Sequence, residues 1–137
     1  MSAPVDRQAS PPGYHFAGVA GSGMSALAQF HLLQGGAASG SDRSFDRTDP
    51  DPAAREIRRH LERLGLAVFP QDGSAFSGPT VPDALVVSSA VEETVPDVQA
   101  ARARDVSILH RSELLAAIVR RHRTIAVTGT SGKSTVT

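Results

Sequence analysis

Two rhythms of apolar residues run along this chain. Short strand-like stretches occur around Phe16 and Ala17, over residues 37–39, 66–69 and 84–87, and over 106–109. The run at 84–87 is continuously apolar, as a parallel strand buried on both faces should be. Between these stretches, apolar residues return at helical spacing: residues 24–33 favour a helix, and Ala54, Ile57, Leu61 and Leu64 share one face while Arg55, Arg58, Arg59, Glu62 and Arg63 fall elsewhere. Val98 and Ala101 mark the inner side of a helix over 96–104, and Leu114, Leu115, Ile118 and Val119 that of a final one. Gly35-Gly36 stops the first helix, Asp51 caps the second with Pro52 at its first position, and Gly65 closes it. Residues 43–52 are polar with two Asp-Pro pairs, and residues 70–82 form a connection containing Gly and Pro. The alternation predicts an α/β fold with a parallel sheet covered by helices on both faces, and ligands beyond the carboxyl ends of the strands.

The first strand runs into Gly18, Gly21 and Gly23 and then directly into a helix. Backbone amides approach a phosphate closely where no Cβ intervenes, and a helix N-terminus adds unpaired N–H groups and a positive dipole end. The expected ligand is therefore an anion, a nucleotide diphosphate. As a G-x-G-x-x-G motif the turn is imperfect, because Ala20 stands at the second glycine. Asp42, at the tip of the second strand, is placed as a ribose acceptor; an Asp there equally starts a turn. Ser88, Ser89 and Ala90, and also His110, fall at the ends of later strands and complete the candidate site.

Residues 124–127 read as another strand, followed by Thr128-Gly129-Thr130-Ser131-Gly132-Lys133-Ser134-Thr135. This is phosphate-loop chemistry: amides wrap the phosphates, Lys133 neutralises them, and the Ser134 hydroxyl ligates magnesium. Lys133 is the only lysine, and Val127 replaces the usual first glycine. The sequence stops at Thr137, where the helix completing such a loop would begin, so the expectation is the opening of a second, truncated domain.

Composition changes this picture little. With 137 residues, 40% hydrophobic and 20% charged, there is room for one core of good size. Fourteen basic against fourteen acidic residues give no net field, so neither nucleic acid nor an anionic membrane is expected as a partner. The absence of cysteine excludes disulfides and thiol catalysis. No apolar run approaches the roughly 18 residues of a membrane span, and Pro4, Pro11 and Pro12 stand where a signal peptide would be apolar. A cytoplasmic protein with a loose tail over residues 1–13 is expected. His15, His31, His60 and His122 read as structural or surface residues.

In this order, the motifs resemble the Mur ligases of peptidoglycan synthesis. The resemblance covers residues 14–137 and rests on Gly21-Ser22-Gly23-Met24-Ser25, Ser39-Gly40-Ser41-Asp42, Val87-Ser88-Ser89-Ala90, His110-Arg111 before Glu113, and the phosphate loop from Gly129 to Ser134. It implies that residues 14–123 form a Rossmann-like domain holding the UDP part of UDP-N-acetylmuramate through Gly21, Ser22, Gly23, Met24, Ser25, Asp42, Ser88, Ser89, Ala90 and His110. Residues 124–137 would open an ATP-binding domain, with ATP on Gly129, Thr130, Ser131, Gly132, Lys133, Ser134 and Thr135 and magnesium on Ser134. In the whole enzyme, a carboxylate would be activated as an acyl phosphate and attacked by an amine. This fragment, without the central and C-terminal domains as its partners, would be inactive and hold no tightly bound cofactor. Three departures bear on the template: Ala20 is expected to push the first loop away from the diphosphate, Pro70-Gln71-Asp72 replaces a Gly-His, and Ser131 stands where alanine-adding members have His. The alternatives are an NAD-type regulatory module, which leaves Lys133 unexplained, and a stand-alone nucleotide sensor. A small P-loop NTPase fails because the loop comes last in the chain.

Overall fold

The computed structural model describes residues 11–129. Five strands, β1 (Tyr14–Ala17), β2 (Ala38–Ser41), β3 (Ala67–Val68), β4 (Ala84–Val87) and β5 (Ser107–His110), alternate with helices α1 (Ser22–Leu33), α2 (Pro52–Arg63), α3 (Pro96–Ala103) and α4 (Arg111–Arg121). All strand pairs are parallel, in the order β3-β2-β1-β4-β5. β1 is central, with Phe16 paired to Gly40 on one side and Val86 on the other.

Alternation along β1 divides the core. Phe16 packs with Val19, Met24, Leu27, Ala54, Leu61 and Leu114, so α1, α2 and α4 cover one face. Ala17 packs with Leu85, Phe76, Val98 and Ala101, so α3 and a 3-10 turn at Ser74–Phe76 cover the other. The predicted α/β architecture, with helices on both faces of a parallel sheet, is the one observed. That 3-10 turn lies inside the stretch expected to be irregular. Gly73 enters it with φ 86°, and the Asp72 carboxylate accepts the Ser74 N–H at 2.9 Å.

Asp51 caps α2 as expected, accepting the Ala53 N–H at 2.8 Å, with Pro52 following. The expected strand over residues 124–127 is corrected: these residues form none. A strand exists only through its ladder, and Ile125 stands 93% exposed with no strand beside it among the described residues. Of the phosphate loop, Thr130, Ser131, Gly132, Lys133, Ser134 and Thr135 lie outside the described residues, as does most of the expected N-terminal tail.

Candidate functional site

A cleft of about 400 Å³ opens at the carboxyl ends of the strands, within the size range of small-ligand sites. Its floor is the glycine turn. Gly18 adopts φ 76°, a left-handed conformation that a side chain would strain, and turns the chain so that the Gly18 and Val19 N–H groups both donate to the Ser41 carbonyl, at 2.8 and 3.1 Å. Helix α1 starts at once, with Gly21 as an N-cap that supplies no side-chain bond and no acidic residue in the first turn. The first N–H groups of a helix have no partner within it. Those of Ser22, Gly23 and Met24 therefore start α1 beside the cleft their residues line, and the positive end of the helix lies there too.

Two arginines frame this end. Arg43 follows the second strand and Arg111 opens α4; both line the cleft, and neither has an ion-pair partner among the described residues. A Cβ placed on Gly23 would collide with the Arg111 guanidinium, so this glycine is what lets the arginine lie across the start of α1. The opposite wall is the turn Ser88, Ser89 and Ala90 with Val91, held by the Val91 N–H on the Ser88 carbonyl at 3.0 Å. Gln71 closes the β3 side, its N–H bound to Asp46 Oδ2 at 3.0 Å.

Asp42 is the only acid lining the cleft among the described residues, and both of its oxygens are engaged. Oδ2 accepts the Ala20 N–H at 2.9 Å; Oδ1 accepts the N–H of Ser44 at 2.9 Å and its hydroxyl at 2.8 Å. It thus ties the glycine turn to the loop after β2. Ala20 packs against the core and does not line the cleft. Its methyl group is therefore turned toward the core.

The structure therefore brings together Gly21, Ser22, Gly23, Met24, Asp42, Ser88, Ser89 and Ala90. It leaves out two predicted residues. Ser25 is buried, its hydroxyl donating to the Ser22 carbonyl at 3.2 Å. His110 serves as N-cap of α4: its Nδ1 accepts the Ser112 N–H at 3.2 Å while Glu113 takes the His110 N–H at 3.0 Å. Its neighbour Arg111 faces the cleft instead. The available signal was position, because the first residue of a helix that starts at a strand end lies beside that end.

Among the described residues no histidine lines the cleft, and no three acids or histidines are grouped to hold a metal. The arrangement can bind an anion through amides, a helix end and two guanidinium groups. Among the described residues that line it, no nucleophile is paired with a base.

Among known proteins, the UDP-N-acetylmuramate--L-alanine ligase of Synechococcus sp. strain CC9605 is 39% identical over 96% of this chain and 27% of its own length. That of Acidobacterium capsulatum is 41% identical over 90% and 24%. The crystal structure of the UDP-N-acetylmuramate-alanine ligase of Thermotoga maritima superimposes with a TM-score of 0.70 at 28% identity, over 88% of this chain and 26% of that one. The chain thus spans about a quarter of the length of the curated relatives it matches. Residues 13–123 match the family described as Mur ligase family, catalytic domain, and with most of the chain inside that match, the protein belongs to the Mur ligase family.

Proposed function

We propose that the cleft holds the UDP part of UDP-N-acetylmuramate, and that the chain is the nucleotide-holding portion of an ATP-dependent carboxylate-amine ligase of peptidoglycan synthesis. The observation that carries this reading is the uncapped start of α1 flanked by Arg111 and Arg43. A diphosphate is the ligand that uses such a site fully, because its charges face amides, a dipole end and guanidinium groups at once. Gln71 and Asp42 then bound the side toward β3 for the uridine, and Ser88 to Ala90 the side toward the sugar. The names of the relatives support the choice of sugar nucleotide.

A dinucleotide such as NAD is the weaker reading. The acid that would accept its ribose hydroxyls, Asp42, has both oxygens committed to Ala20 and Ser44. In the whole protein, ATP would be held by residues 129–135. The donor set there fits a nucleotide triphosphate: glycine amides, the Lys133 ammonium, and the Ser134 hydroxyl for magnesium. Bound there, ATP would supply the phosphoryl group that activates the carboxylate.

Calorimetric titration with UDP-N-acetylmuramate and with NAD tests the reading. The sugar nucleotide is expected to bind more tightly. Tighter binding of NAD overturns the ligase assignment of the cleft.

A further inference from the structure

Beneath the cleft, on the face covered by α3, lies a polar cluster that ligand contact does not explain. His15 in β1, Ser41 in β2 and Asp97 in the first turn of α3 are each fully buried. Ser41 Oγ donates to Asp97 Oδ2 at 2.5 Å, and His15 Nε2 lies 3.2 Å from the same oxygen. The other oxygen, Oδ1, accepts the Gly73 N–H at 2.9 Å. His15 is held in turn by Ser39 Oγ, 2.7 Å from Nδ1, and by the rings of Phe69 and Phe76, which meet it edge-on.

We propose that Asp97 is a positioning residue for the nucleotide cleft: through Ser41 and Gly73 it fixes the two loops on either side of the ligand. The inference rests on the nucleotide reading of the cleft given above. Toward the glycine turn the path is short. The residue whose hydroxyl binds Asp97 is the one whose carbonyl takes the Gly18 and Val19 N–H groups. Toward β3, Gly73 is held in its left-handed turn two residues after Gln71, which lines the cleft. A Cβ at Gly73 would press on Ala100 of α3, so the loop also sits close against the helix that carries Asp97.

Stability alone is a poor reason for this cluster. A buried charged group stabilises a fold weakly, and apolar side chains of similar volume do as well or better. Near the N-terminus of α3, Asp97 could have kept its favourable dipole interaction while exposed to water. Turned inward instead, it receives hydrogen bonds from two elements that adjoin the cleft. Bonds of this kind in a dry interior are strong and directional, so what they fix is orientation.

Ser41→Ala tests the proposal in the full chain. It removes the hydroxyl but keeps the carbonyl that serves Gly18 and Val19, and Ser41 does not line the cleft. Amide hydrogen exchange on the ligand-free protein should accelerate at Gly18, Val19 and Gly73 by about tenfold or more, with Leu85 and Val86 in β4 unchanged. UDP affinity should fall by about tenfold, as for any loss of preorganisation worth one power of ten. Asp97→Asn, which keeps the shape and removes the charge, should act in the same direction and serves if Ser41→Ala does not fold. Exchange that is unchanged, or accelerated equally in β4, overturns the proposal. So does unchanged UDP affinity in a variant whose parent binds UDP. If the parent itself binds no UDP, the nucleotide reading falls and the positioning role for a nucleotide falls with it, while the exchange data still decide whether Asp97 holds the two loops.

Discussion

Asp42 Oδ2 accepts the Ala20 N–H at 2.9 Å, so an acid at the end of β2 holds the middle of the glycine turn that follows β1. In Asp42→Asn only one oxygen remains, and it cannot serve both Ala20 and Ser44. The Ser44 turn is local and should keep it, which leaves the Ala20 N–H facing an NH₂ group. A hydrogen bond to a charged group contributes about 1.5–3 kcal/mol, so unfolding in urea should show a loss toward the lower end of that range for this half-buried site. UDP affinity should fall with it, and an unchanged affinity would mean that the turn does not need this tether.

Gly23→Ala separates stability from binding. The added Cβ meets the end of a flexible side chain, the Arg111 guanidinium, which can swing away into solvent. Alanine is also the better helix former, by up to about 1 kcal/mol in a helix interior and less in the first turn. The melting temperature should therefore stay level or rise slightly. Yet UDP binding should weaken by on the order of tenfold or more, because the charged hydrogen bond that Arg111 is proposed to make to the diphosphate would be displaced. Calorimetry beside thermal unfolding checks both signs at once, and equal UDP affinity in the two proteins would remove Arg111 from the site.

The elements were legible because each strand and helix carries its own period, and the cleft because its loops all lie at strand ends. What escaped the sequence depends on pairing across the fold. Residues 124–127 have strand-like residues but no strand to pair with among the described residues, and composition alone does not supply one. His110 and Arg111 are adjacent, and which of them faces the cleft is decided by where α4 starts and which side chain caps it. The orientation of Ala20 follows from a hydrogen bond to a residue 22 positions away. His15 reads as a structural histidine, and it is one, but its partner Asp97 lies 82 positions along the chain and on a helix whose pattern gave no hint of an inward acid.

That buried aspartate gives the protein an acid-sensitive element. Burial opposes its ionised form, but hydrogen bonds from His15 and Ser41, the charge of His15 and the Gly73 N–H outweigh this and hold the Asp97 carboxyl below its ordinary range. A carboxylate lowered in the folded state adds stability above its unfolded pKa of about 3.9. That contribution disappears as pH falls from there through the lower folded value. Denaturant titrations at pH 7 and in steps below pH 4 should show wild type losing stability more steeply than Asp97→Asn. Parallel losses in the two proteins would show that other carboxylates govern acid unfolding.

This 137-residue chain is expected neither to bind Mg-ATP appreciably nor to hydrolyse it, although it carries most of a phosphate-loop sequence. Such a loop combines curled amides with a helix N-terminus, whose dipole contributes about 0.3–1 kcal/mol per favourable charge. Among the described residues no strand lies beside residues 124–127, which would anchor the loop from a sheet, and Ile125 is almost wholly exposed. Equilibrium dialysis with Mg-ATP should therefore show no retention, and phosphate release should stay at background for both wild type and Lys133→Ala. ATP turnover that Lys133→Ala abolishes would overturn this expectation, because residues 124–137 would then form a working phosphate site without a sheet to support them.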